Sequence, residues 1–254
     1  VVKRARVVIV GAGGYTGAEL ASLLLGHGGA EIVGLFGSAR RQDEPALFHH
    51  VHPQFHARLE LPVLAADPGA IVELAPDVVF LATPHEASVT LARDLLGLGL
   101  RVIDLSGAFR LPDPGLYPTY YGFEHEAVDL LERAVYGLPE INRGAIRGAE
   151  LVAAPGCYPT TAVLPIHALA RAGAIRAGTR VIVDSVSGVS GAGRSAKQAN
   201  LYCEVSQRPY GVLTHRHQPE IAVHSGAEVL FTPHVGPFDR GMLSTIHVDL
   251  DDDV

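Results

Sequence analysis

The sequence predicts an α/β protein: a Rossmann-type doubly wound parallel sheet, followed by a second α+β domain containing a mixed or antiparallel sheet. Three observations carry this. From Val7 to Asp104 short β-branched runs alternate with helix-like stretches. A glycine-rich turn, Gly11-Ala12-Gly13-Gly14-Tyr15-Thr16-Gly17, joins the first strand to the first helix. After Leu151 the pattern changes to one helix and several strands with period-two character, which fits a layered α+β unit better than further βαβ repeats.

Val7-Val8-Ile9-Val10 is a continuous apolar run, as expected of a parallel strand covered on both faces, and Tyr15 to Leu25 has the length and composition of a helix. Further strands are expected at Glu31 to Phe36, Val78 to Leu81 and Arg101 to Asp104, with helices at Pro68 to Leu74 and Glu86 to Leu96. Turn formers and aromatics from Tyr117 to Gly148 read as a transition. The domain boundary is placed there, giving a nucleotide-binding domain over 1–148 and a second domain over 149–254. In the latter, a strand at Leu151 to Ala154 hands over to a helix at about Thr160 to Ala172. Strands then follow at Arg180 to Val186, Ala227 to Phe231 and Met242 to Leu250.

Composition excludes several classes. With 254 residues and 48% hydrophobic content the chain can bury a sizeable core. A net charge of −7, without a Lys/Arg cluster interleaved with aromatics, argues against a nucleic-acid partner. No apolar run reaches roughly 18 residues and the N-terminus leads straight into a strand, so no membrane partner and a cytoplasmic location are expected. The two cysteines, Cys157 and Cys203, fit a reducing compartment and form no CxxC pair.

The glycine turn allows backbone N–H groups to approach a pyrophosphate at a helix N-terminus. Gly11, Gly14 and Gly17 have GxxGxxG spacing, and Gly13 adds a GxG start. Where NAD-preferring folds carry an acid after the second strand, this chain has Gly37-Ser38-Ala39-Arg40-Arg41; arginine pairs with a 2′-phosphate, so NADP(H) is favoured over NAD. Ser106 and Arg110, after the strand ending at Asp104, lie where doubly wound folds bind ligands and are candidates for a substrate phosphate or carboxylate. The Gly/Ser loop from Ser187 through Gly188 and Gly191 to Arg194 suits backbone contact with nicotinamide or phosphate.

Pro155-Gly156-Cys157-Tyr158-Pro159-Thr160 places a thiol at a strand-to-helix junction. Unpaired N–H groups and the helix dipole favour a thiolate there. Cys203 lacks such a setting and is expected to be structural. A thiolate beside a nicotinamide cofactor suggests attack on an acyl carbon followed by hydride exchange with the thioester. Thr214-His215-Arg216-His217, if extended, points His215 and His217 to one side, one as acid/base and the other orienting it or binding substrate. No carboxylate or further histidine falls at a zinc spacing, so no metal is expected. His49, His50, His52 and His56 read as a polar surface or substrate-side loop.

The blocks GAGGYTGAEL, DLSGAFRL, YGLPEINR, APGCYPT, SGVSGAGR, YGVLTHRHQPEI and FTPHVGPFDRGM, in this order along nearly the whole chain, resemble the N-acetyl-γ-glutamyl-phosphate reductases, arginine-pathway members of the semialdehyde dehydrogenase superfamily. The resemblance implies NADPH-dependent reduction of an acyl phosphate to a semialdehyde and phosphate. A lysine-pathway relative acting on a carrier-bound aminoadipyl phosphate and a catalytically silent NADP-binding protein are the alternatives. It also implies Cys157 as nucleophile, His217 as acid/base with His215 as second choice, and cofactor contacts from Gly11, Gly14, Tyr15, Thr16, Gly17, Ser38, Arg41, Ser187, Gly188 and Gly191. Arg194 joins Ser106 and Arg110 as a substrate-side residue. A homo-oligomer, dimer or tetramer, built through the second domain's sheet is implied. Family members continue past the Met242 to Leu250 strand, so this chain is expected to be a shortened copy; Gly107 and Ala108 also depart from the family's small-residue-then-acid pattern.

Overall fold

Val7 to Val10 are at most 2% exposed, the burial that a continuous apolar strand at the centre of a parallel sheet requires. They belong to a computed structural model that describes residues 3–38 and 45–251. The chain divides into two units, Val1–Pro112 with His125–Ala154, and Asp113–Glu124 with Pro155–Val254.

In the first unit β1 (Ala5–Val10), α1 (Tyr15–Gly26) and β2 (Ala30–Phe36) open a βαβ arrangement. They are followed by β3 (Ala46–Leu47), α2 (Phe48–Val51), β4 (Pro62–Leu64), α3 (Pro68–Glu73), β5 (Val78–Leu81), α4 (His85–Gly97) and β6 (Val102–Asp104). The chain then contributes α5 (Tyr117–Tyr120) to the second unit and returns as α6 (Val128–Arg133), β7 (Val135–Tyr136), α7 (Pro139–Gly148) and β8 (Leu151–Ala153). The sheet order is β3-β4-β2-β1-β5-β6-β8-β7, parallel except for β3 against β4. Strand order reverses between β1 and β5, the crevice where doubly wound sheets take ligands. One apolar cluster beneath it joins Ile9 and Leu35 to Ala12, Ala18 and Ala21 and to Phe48 and Phe55.

The second unit comprises α5, α8 (Cys157–Arg171), β9 (Val181–Ser187), β10 (Arg208–Pro209), α9 (His217–Ser225), β11 (Val229–Val235) and β12 (Met242–His247). Its sheet is mixed, ordered β10-β11-β9-β12, with β11 parallel to β9 and the outer strands antiparallel. Burial alternates along β9 and β11, and Val183 and Phe231 are fully buried. Hydroxyls tie α8 to this face: Thr161 Oγ1 and Ser185 Oγ each lie 2.6 Å from Ser244 Oγ.

The expected fold class holds, while several elements differ. Helix α8 begins at Cys157 rather than near Thr160, because Pro159 occupies its third position, where an N–H has no intrahelical partner to lose. The same device recurs in α9: Pro219 is its third residue, so the chain turns into a helix from His217 onward instead of running extended. The stretch read as a transition holds four elements, α5, α6, β7 and α7. Residues 48–55 are a short helix and a 3₁₀ turn, with His52 only 4% exposed. Strand β12 ends at His247; beyond it Leu250 makes one isolated bridge to Ile175. No helix among the described residues is long and apolar enough to cross a membrane.

Candidate active site

The glycine turn of the first unit has two positions where only glycine fits. At Gly11, φ is +90° and a Cβ would lie 2.2 Å from the Ala82 carbonyl oxygen, so the ends of β1 and β5 touch backbone to backbone. At Gly17 a Cβ would lie 2.6 Å from Gly11 O and 2.7 Å from Ala12 Cα, so a side chain would lift α1 off the turn. Gly14 is the N-cap of α1 and makes no side-chain cap, and the first turn contains no acid. An uncapped, unopposed helix N-terminus suits an anion. Tyr15 and Thr16 are exposed on that first turn, Gly13 is half-buried and Ser38 is exposed just past β2. Arg40 and Arg41 lie outside the described residues. The cradle thus fits a dinucleotide's pyrophosphate.

Ser106 and Arg110 are buried in the same unit and brace their own loop. Ser106 Oγ donates to Asp104 Oδ2 (2.7 Å) and accepts from Ala108 N (3.0 Å). Arg110 Nε donates to Ala154 O (2.7 Å) and Nη2 to Leu105 O (2.8 Å), joining this loop to the end of β8. Asp104 is fully buried, and burial pushes its carboxyl up despite the hydrogen bonds from Ser106.

In the second unit a cavity of about 650 Å³ is lined by Cys157, Tyr158, Ser187, Tyr210, His215 and His217, among others. Gly188 and Gly191 border it, as do the cations Arg208 and Arg216. Arg194, Ser106 and Arg110 do not. Cys157 is exposed at the first position of α8, whose first turn contains no acid. The turn before it is fixed by Gly156 N donating to Glu220 Oε1 (2.8 Å), a fully buried carboxylate on α9. Tyr158's hydroxyl meets Ser187 Oγ and the His234 carbonyl, each at 2.9 Å. Tyr210 donates to that hydroxyl at 3.3 Å, and burial, reinforced by Tyr158, pushes the Tyr210 phenol up, so it stays protonated.

The two histidines are brought together with ring centroids 4.7 Å apart, edge to face. His217 is 5% exposed at the first position of α9. His215 Nδ1 accepts the His217 backbone N–H at 3.1 Å, which leaves the ring proton on Nε2. Burial, and then the Arg216 charge, pull His215 down from 6.5 to about 4. It is therefore neutral near pH 7 and acts as a helix cap. Between these two values the unfolded chain binds a proton that the folded chain refuses. Stability should accordingly be full above about pH 6.5 and fall as the pH drops toward 4. Urea titrations across that window should show a shallower loss in His215→Gln.

Sequence reasoning passed over Glu220, Tyr210, Arg208 and Arg216. Glu220 was legible in principle: three residues after His217 on a helix, it shares its face. Cys203, expected to be structural, is an exposed turn residue away from this cavity. Among the described residues no group of three or more His, Cys, Asp or Glu is arranged to hold a metal ion.

A glycine-cradle nucleotide fold and a second mixed-sheet unit with its own cavity fit a two-part dehydrogenase. Residues 6–149 match the semialdehyde dehydrogenase NAD-binding domain, and residues 157–254 the semialdehyde dehydrogenase dimerisation domain. N-acetyl-gamma-glutamyl-phosphate reductase from Aeromonas hydrophila is 49% identical over 249 residues, 97% of this chain and 74% of the relative. The Salmonella typhimurium enzyme of that name is 50% identical over 239 residues, 94% and 72% of the respective chains. The chain belongs to the semialdehyde dehydrogenase family, in its N-acetyl-gamma-glutamyl-phosphate reductase branch. Aspartate semialdehyde dehydrogenase II from Vibrio cholerae shares the fold at 16% identity, with a TM-score of 0.68 over 98% of this chain and 75% of that one.

Proposed function

We propose that this chain reduces N-acetyl-γ-glutamyl phosphate to N-acetylglutamate γ-semialdehyde and phosphate with NADPH, as an arginine-biosynthetic oxidoreductase. The observation that carries the reading is the pairing of Cys157 and His217, each at the first position of a helix and both on one cavity. The Cys157 thiolate attacks the acyl carbon; the carbon–oxygen bond to phosphate breaks and a thioester forms. Arg208 and Arg216 on the cavity wall match the anionic substrate. Gly11 to Gly17 would hold NADPH, which when bound would supply the hydride for reducing the thioester. His217 protonates the resulting oxyanion, then takes that proton back as the carbon–sulfur bond breaks and the aldehyde leaves. Glu220 holds the turn that aims Cys157, and His215 caps α9 as a neutral group. Ser187, Gly188 and Gly191 belong to the same cavity and serve the nicotinamide side. Arg110 orders the loop from β6 and the exit of β8.

The match to a dimerisation domain supports a homo-oligomer, dimer or tetramer, built through the second unit's sheet, whose face opposite α8 and α9 exposes Ile182 (40%) on β9 and Leu243 (66%) on β12. A cytoplasmic setting follows from the pathway. The reaction is tested in reverse with N-acetylglutamate semialdehyde, phosphate and NADP. Phosphate-dependent NADP reduction is expected; a folded chain that binds NADP without turnover would sink the reading.

A further inference from the structure

We propose that Tyr158 is a positioning residue for Cys157, fixing the first turn of α8 against the sheet and against the two histidine rings; this rests on the covalent reading above. The catalytic scheme gives Tyr158 no step. As the first residue of α8, Cys157 has no helical turn before it to hold it in place. On one side its backbone is fixed by the Gly156 N–H donating to Glu220. On the other side stands Tyr158, the second residue of the helix and 1% exposed. Neighbouring residues of a helix are about 100° apart around its axis, so a rotation of this turn that shifts the Tyr158 side chain carries Cys157 with it.

The phenol hydroxyl is anchored at the ends of two strands. It lies 2.9 Å from the His234 carbonyl oxygen on β11, 2.9 Å from Oγ of Ser187, the last residue of β9, and 3.3 Å from the Tyr210 hydroxyl. A carbonyl only accepts, so the single phenol proton goes to His234 O, and Ser187 and Tyr210 donate to the phenol oxygen. With its proton committed to the backbone, the hydroxyl acts as an anchor rather than as an acid. The ring serves the same end. Its centroid is 5.2 Å from that of Phe231 and 5.9 Å from those of His215 and His217, edge to face in each case. One side chain next to Cys157 thus packs on His217 and on the sheet together, and sets the nucleophile and the acid/base on one frame.

The test uses the full chain with N-acetyl-γ-glutamyl phosphate and no NADPH. Phosphate released in a single turnover then reports acylation of Cys157 alone, and contacts to nicotinamide play no part. Tyr158→Phe keeps the ring and removes the hydroxyl. Ser185→Ala is the control: its Oγ is also buried, 2.6 Å from Ser244 Oγ on the same sheet, and Ser185 does not line the cavity. Tyr158→Phe should slow acylation by about ten- to a hundred-fold, with half-saturation by the acyl phosphate within about two-fold of wild type. Ser185→Ala should stay within about two-fold of the wild-type rate even where it lowers the melting temperature as much. If Tyr158→Phe does not fold, Ser187→Ala decides: it removes one donor to the phenol, leaves the bond to His234 O, and should slow acylation by about three-fold or more. Near-wild-type acylation in folded Tyr158→Phe, or in Ser187→Ala where that variant stands in, overturns the proposal, as does equal slowing in Ser185→Ala. A wild-type chain that releases no phosphate overturns the covalent reading and this inference with it.

Discussion

Cys157→Ala should abolish turnover, by about a thousand-fold or more in kcat, while leaving NADPH binding and the melting temperature near wild type. The first half follows from chemistry: without sulfur there is no thioester for hydride to reduce. The second half follows from placement. Cys157 is exposed at the first position of α8, where its side chain fills no core space, and substitutions at exposed positions usually change stability by about 0.5 kcal/mol or less. Cys157→Ser should be nearly as inactive, because a hydroxyl is a far weaker acid and a far poorer nucleophile than a thiol. Single-turnover assays with NADPH titration in the same samples separate the two halves. Retained activity in Cys157→Ala would remove the covalent mechanism altogether.

His217→Asn should lower kcat by about a hundred- to ten-thousand-fold, the range for losing a positioned general acid–base, with the surviving rate nearly independent of pH. His215→Gln should cost far less. The asymmetry comes from the backbone: His215 Nδ1 is occupied by the His217 N–H, and its ring is held neutral, with a pKa of about 4. A group that refuses a proton until about pH 4 is a poor proton donor near pH 7, whereas a Gln at 215 can still cap α9. The pH–rate profiles of the two variants distinguish the assignments; a larger loss in His215→Gln than in His217→Asn would reverse them.

Much of this arrangement was legible in the sequence, for identifiable reasons. The strand run Val7 to Val10, the glycine turn and the Gly-Cys junction announce themselves locally: each is a backbone requirement written in adjacent residues. What escaped depended on two kinds of information. Pro159 and Pro219 look like breakers, yet each is the third residue of a helix, where proline is tolerated. The helix expected near Thr160 therefore starts three residues earlier, at Cys157, and the segment expected to be extended around His217 holds α9. With α9 hidden, Glu220 could not be seen to face the same way as His217. The other kind is long-range. Nothing near Gly156 in the sequence says that its N–H meets Glu220, 64 residues on, and nothing near Arg110 says that its guanidinium meets the carbonyls of Ala154 and Leu105. Likewise His52 reads as one of a run of polar histidines, and only the fold places it beneath the Ala12 carbonyl.

The covalent mechanism requires that Cys157 carry the acyl group. It is tested most directly by mixing the chain with N-acetyl-γ-glutamyl phosphate in the absence of NADPH and following intact mass and released phosphate together. The expected result is one N-acetylglutamyl adduct per chain, mapped by peptide sequencing to Cys157, with an equal amount of phosphate released and no adduct in Cys157→Ala. Phosphate release without an adduct, or an adduct on Cys203 that persists in Cys157→Ala, would contradict it.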